Sequence, residues 1–119
     1  MSNTQKSSRD KIEQGLPRLK EGFPYQAFAI VGDKEDIETW KLPHHTKAIF
    51  RAIQGKIGHY RTTDWEHLSA AVAALSRGGF RGKRVEATGQ QILDAAKHLA
   101  RHYSENGKSV PDTLAALVE

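Results

Sequence analysis

Two helical patterns joined by a basic, glycine-rich link dominate residues 63–103, and any fold must pack one pattern on the other. Trp65, Leu68, Val72 and Leu75 recur at i, i+3, i+7 and i+10, which lays one apolar seam along a helix. Ile92, Ala95, Ala96, Leu99 and Tyr103 repeat the spacing. Thr63 followed by Glu66, and Thr88 followed by Gln91, are capping-box spacings at the two starts. Gly78 and Gly79 supply a stop for the first helix and Asn106-Gly107 for the second, since glycine past a helix end takes the left-handed conformation without steric cost.

The rest of the chain must cover this pair. With 119 residues there is room for one core, read as a polar leader over 1–9 and a single helical domain over 10–119. Ile12, Leu16 and Leu19 suggest a short helical turn, interrupted by Gly15 and Pro17. Tyr25, Phe28, Ile30 and Val31 form the best strand pattern, and residues 56–61 are its expected partner in a two-stranded ribbon. Pro43 is read as opening a helix that carries Ala48, Ile49, Phe50, Ala52 and Ile53, with Gly55 its stop. Ser109, Pro111 and Asp112 open a last one, whose Leu114, Leu117 and Val118 either dock on the core or offer an apolar face to a partner. The fold class is therefore mainly α: a small bundle of three to four helices with at most one short β ribbon. Its expected core is Phe28, Ile30, Trp40, Leu42, Ile49, Phe50, Ile53, Leu68, Val72, Leu75, Ile92, Leu99 and Tyr103.

Charge and cysteine usage narrow the setting. The chain has no cysteine, so it has no disulfide framework, no thiolate metal site and no thiol nucleophile, which suits a cytoplasmic location. No apolar run is long enough to span a membrane, and residues 1–8 lack the hydrophobic core of a secretory signal. Lys and Arg balance Asp and Glu over residues 1–43, yet exceed them ten to five over 44–106. A basic middle points to nucleic acid or another polyanion, or simply to solvated surface. The acidic run over residues 33–38 lacks calcium-loop spacing and reads as a solvated loop.

The string Thr39-Trp40-Lys41-Leu42-Pro43, followed by Asp64, His67, an alanine-rich helix over 70–75, Gly79-Phe80-Arg81-Gly82 and Tyr103, resembles the short domains beside or fused to prohead proteases and other head-morphogenesis proteins of tailed phages and prophages. The resemblance covers roughly residues 28–103 and implies helical structure in a phage setting. It transfers no catalytic residue.

Three groups could carry chemistry. In the link, Arg77, Gly78, Gly79, Phe80, Arg81, Gly82, Lys83 and Arg84 combine four cations that can neutralise phosphates with glycines that let backbone N–H groups approach an anion. Phe80 could stack on a base. The alternative is a helix connection whose glycines are caps and whose arginines pair with Glu86 and Glu66. His98 and His102, four apart with Asp94 one turn earlier, have the spacing that lets two imidazoles share a metal. His44, His45, His59 and His67 could add a third ligand, but the pair lies off the seam of Ile92, Leu99 and Tyr103 and reads as an exposed polar stripe. His67 is expected to bond the Trp40 loop. The expectation is thus a non-catalytic accessory module, with no resident cofactor or metal, that binds nucleic acid or another polyanion through the link. A protein-interaction module of phage head assembly, meeting a phage or host protein, is the alternative, and a metal-dependent hydrolase or nuclease the third.

Overall fold

The computed structural model describes residues 18–118, so the leader and most of the first helical turn lie outside the described residues. Strand β1 (Phe28–Val31) pairs antiparallel with β2 (Trp40–Pro43). Four helices follow: α1 (Ile49–Ile53), α2 (Trp65–Leu75), α3 (Gly89–Glu105) and α4 (Asp112–Val118). The domain is mainly α with one two-stranded ribbon, as its patterning predicts. Among the described residues no helix is long and apolar enough to cross a membrane.

The ribbon's second strand is not the expected one. Residues 56–61 do not pair with β1; a 3-10 turn occupies His59–Thr62, and β1 pairs instead with the segment just after the acidic loop. That loop is a local turn system. Thr39 Oγ1 accepts from the Asp33 N–H, and Asp33 and Asp36 carboxylates accept from the N–H groups of Glu35 and Glu38. Such short-range bonds satisfy a tight return, so two adjacent segments pair without a long loop to close. Pro43 ends β2 rather than starting a helix, and proline is tolerated there because an edge strand needs no donor.

Two apolar clusters result. Ile30, Leu68, Ala71, Val72, Leu75, Ala95, Ala96, Leu99 and Leu114 form the main one, where α2, α3 and α4 meet β1. Ala27, Phe28, Trp40 and Ile49 form the second. Trp40 is 1% exposed, with its Nε1 donating to the Asp33 carbonyl at 2.9 Å, so it is a core residue. Ile53, expected in the core, is 47% exposed, because α1 is only five residues long and cannot turn both faces inward. Leu114 is buried and Leu117 and Val118 pack against the main cluster, so the apolar face of α4 is used within the domain.

The caps refine the expected starts and stops. Thr88 and Gln91 form the reciprocal capping box at α3, and Asn106 ends that helix. At α2 the cap is Asp64, whose carboxylate accepts from the His67 N–H; Thr63 is not the cap. Helix α2 stops at Leu75, ahead of the glycines, because Ser76 takes an extended conformation and its hydroxyl bonds the Ala73 carbonyl. Gly79 serves a different need: at φ +71° a Cβ there would lie 2.2 Å from the Lys83 backbone.

Candidate metal centre

Five histidines from three segments converge beside the ribbon. His44 and His45 follow β2, His59 opens the 3-10 turn, and His98 and His102 project from α3. His44, His45 and His102 are buried, and His98 is half-buried. One nitrogen from each of His44, His45, His98 and His102 lies within 4.8 Å of every other.

Hydrogen bonds fix which nitrogen faces inward. His44 Nδ1 sits 3.1 Å from the Leu42 carbonyl, which can only accept, so the proton is on Nδ1. The Thr62 hydroxyl donates to the His59 carbonyl at 2.9 Å and therefore accepts from His45 Nδ1 at 2.7 Å. Thr63 repeats the device, donating to the Tyr60 carbonyl at 2.8 Å and accepting from His102 Nδ1 at 2.7 Å. In three histidines, then, Nδ1 carries the proton and Nε2 presents a bare lone pair. Outer partners of this kind orient metal-ligating imidazoles and raise their basicity.

The lone pairs meet at short range. His98 Nε2 lies 3.1 Å from His44 Nε2 and 3.1 Å from His102 Nε2. A proton on His98 Nε2 can point at only one of these lone pairs, which leaves the other 3.1 Å contact with no hydrogen between its nitrogens. Among the described residues His45 Nε2 is buried with no hydrogen-bond partner. A cation resolves both faults. Tetrahedral coordination at 2.0–2.1 Å separates ligand nitrogens by about 3.3 Å, close to the two shortest separations here.

The electrostatics keep the ring set neutral, the state a metal requires. Burial is the largest cause for every member. It pushes His45 down to about 3, with His59 and His98 adding to the effect, and His98 to about 4, with His59 and Arg101 adding. His102 falls to about 2, through burial and then its three histidine neighbours. His44 is lowered well below its ordinary value by burial and His45, against the pull of the Leu42 carbonyl.

Local backbone geometry serves the same end. Leu42 adopts φ +65°, an uncommon state for a branched side chain that costs on the order of 1–3 kcal/mol, and its carbonyl is the one that receives His44 Nδ1–H. The helical arithmetic that set His102 aside is corrected here. At 100° per residue, seven positions bring His102 to within about 20° of Ala95, which is wholly buried, so both share the inner face. Asp94 faces solvent and bonds Gln90, not the cluster. His67 is exposed and bonds Asp64 at 2.8 Å rather than the Trp40 loop. Burial pulls Asp64 upward, but the backbone and ring N–H groups of His67 outweigh it and hold the carboxyl below its usual value.

The basic link is a different structure. Phe80 and Lys83 exchange backbone hydrogen bonds of 3.0 Å around Arg81 (φ +54°) and Gly82 (φ +80°), a tight two-residue turn with both central residues left-handed. The Arg81 guanidinium lies 5.1 Å from the centre of the Phe80 ring, and Arg84 Nε donates to the Leu75 carbonyl at the end of α2. Arg77, Gly78 and Lys83 are exposed, and Phe80 is 41% exposed. The link follows the C-terminal end of α2, whereas the histidines meet its N-terminal side through Thr63; eleven residues of helix, about 16 Å, lie between.

The expectation of a non-catalytic module without a metal is overturned by this cluster, four histidines placed as a metal-binding set. Sequence spacing singles out His98 and His102 as a pair and offers His44 and His45 only among four candidates for a third ligand. No family model, no curated protein and no solved structure matches this chain.

Proposed function

We propose that this protein is a metal-dependent hydrolase whose transition-metal centre is held by His44, His45, His98 and His102. The observation that carries the reading is the outward pinning of three Nδ1 protons, on Leu42, Thr62 and Thr63, which leaves three bare Nε2 atoms converging on one point. An all-imidazole set suits zinc, copper, iron or nickel and gives no reason to expect magnesium or calcium. The usual structural zinc sites contain thiolate, whereas catalytic zinc is held by three protein ligands with the fourth position open, a pattern four histidines reach only when one of them gives up its place. Such a metal supplies Lewis-acid polarisation of a carbonyl or phosphoryl oxygen and eases the ionisation of water.

Access supports a catalytic role. A cleft of about 320 Å³ is lined by Tyr25, Gln26, Phe28, His59 and His98, so the half-buried ligand stands at its wall. A second reading, a structural staple, is favoured by the origin of the ligands in widely separated segments. The two readings part in one experiment. Protein purified without a histidine tag should contain about one transition metal per chain, and His102→Ala should contain none. Loaded protein should hydrolyse nitrophenyl acetate or nitrophenyl phosphate, with the activity lost to a chelator and in His102→Ala. Tight metal without turnover would leave the staple, and no metal would end both.

A further inference from the structure

The four ligands are not equivalent. His44, His45 and His102 are at most 2% exposed, and each has its Nδ1 held by an oxygen. His98 differs on both counts. It is half-buried, its ring is engaged only through Nε2, and among the described residues no acceptor holds its Nδ1. No hydrogen bond from outside the cluster fixes its orientation; the ring packs against His59 and Tyr60 and borders the cleft rather than the core.

The cleft has a definite chemistry. No Asp or Glu is among its lining residues. Two cations stand beside it, each near an acid: Lys34, between Asp33 and Glu35 in the chain, has its Nζ 4.6 Å from the centre of the Tyr25 ring, which lines the cleft; the Arg101 guanidinium lies 5.3 Å from the centre of the Tyr60 ring, next to His59, with its Nε 3.5 Å from the Glu105 carboxylate. Two polar atoms of the lining, Gln26 Oε1 and His59 Nε2, are buried without a partner. An imidazole-only centre also leaves the charge of a divalent ion uncompensated, since neutral ligands contribute none. Both features favour an anion over a neutral molecule.

We infer that His98 is an exchangeable ligand, and that the cleft beside it is the binding site for a small oxyanion, of the phosphate or carboxylate class, which takes the metal position that His98 vacates. The inference rests on the metal centre proposed above. The exchange breaks one metal–nitrogen bond and forms one metal–oxygen bond, with no electron transfer and no change in bound protons. Gln26, whose amide can turn its N–H₂ toward the cleft, and His59 are placed to hydrogen-bond the oxygens not on the metal.

Cobalt(II) tests this, because its visible bands report the ligand set. Wild type, His98→Ala, His98→Gln and His102→Ala are loaded with cobalt alone and titrated with inorganic phosphate or with imidazole, and melting curves establish which variants fold. The expected result is that both His98 variants retain one cobalt per chain while His102→Ala retains none. Imidazole should restore the wild-type spectrum to His98→Ala. Phosphate should change the spectrum of wild type, and of His98→Ala at a concentration at least tenfold lower, since no histidine has to leave. If folded His98 variants lose cobalt as fully as His102→Ala, or if phosphate leaves every spectrum unchanged, the inference is overturned and the metal centre stands. If wild type takes up no cobalt, zinc or copper, the centre falls and this inference with it.

Discussion

The histidine cluster and the basic link are opposites in construction. The link is contiguous and visible as a string, and part of it is engaged locally: Arg81 covers Phe80, Arg84 bonds the end of α2, and Phe80 pairs with Lys83 through the backbone, while Arg77 stays exposed. The cluster has no string of its own. It draws on residues 44, 45, 98 and 102, and each buried member is held by an oxygen from a neighbouring turn. A run of suggestive residues can be spent on local geometry, while a site can be assembled from residues that each look ordinary in their own segment. The orphaned lone pairs separate the two cases, since buried polar atoms without partners are costly and rare in native structures.

The largest expected effect lies in the cluster. His44→Ala or His102→Ala should abolish metal binding, and should also remove the metal's contribution to stability, about 2.7 kcal/mol at a free metal concentration a hundred times the Kd. Melting with and without chelator measures it: wild type should shift and the variants should not. Retention of metal by His102→Ala would break the comparison outright.

Acid should act next. Because burial lowers His45 to about 3, His98 to about 4 and His102 to about 2, each stays neutral in the folded chain where it is protonated in the unfolded one. The metal-free protein should therefore keep full stability above about pH 6.5 and lose it as pH falls toward 4, by about 1.4 kcal/mol per pH unit for each such histidine. Denaturant midpoints measured between pH 4 and 7.5 check the sign. A flat profile would mean that the rings are solvated.

Thr63→Val should weaken metal affinity roughly 10–100-fold by removing the acceptor of His102 Nδ1–H, while Thr63→Ser should restore it. The helix should be unaffected, because Asp64 is its cap. Conversely, Asp64→Ala should cost about 1 kcal/mol of stability with unchanged metal content. Smallest of all, Arg77→Ala with Arg81→Ala in the link should alter neither metal content nor melting, the latter within about 0.5 kcal/mol.

Legibility followed the same divide. The capping box at Thr88 and the seams carrying Leu68, Val72, Leu75 and Leu99 are local regularities with one physical meaning, and they could be read from spacing; Leu114 fitted either docking or a partner-facing role, and it docks. Partners of the ribbon could not, because residues 40–43 and 56–61 both carry strand-like residues and only the bonds of the acidic loop decide between them. His102 was legible in principle, since its heptad relation to Ala95 places it on the buried face. Ile92, Leu99 and Tyr103 are larger and more obviously apolar, and they pull the apparent seam away from Ala95 and Ala96, the wholly buried alanines that define the inner face more closely. His44 and His45 had no periodic signal to betray them. Their burial depends on Leu42 entering the left-handed region, which nothing in a leucine announces.

The absence of cysteine looks different once the ligands are placed in order along the chain. His44 and His102 stand 58 positions apart, so a metal joining them would tie the end of the ribbon to the last turn of α3. In the unfolded chain such a tie closes a loop whose entropy cost, by the relation used for disulfides, is about 4 kcal/mol. Unlike a sulfur bridge, it forms and releases without an oxidant. The chain would thus have a covalent-style cross-link that opens with metal supply, and its resistance to unfolding would follow the metal content of its surroundings rather than their redox state.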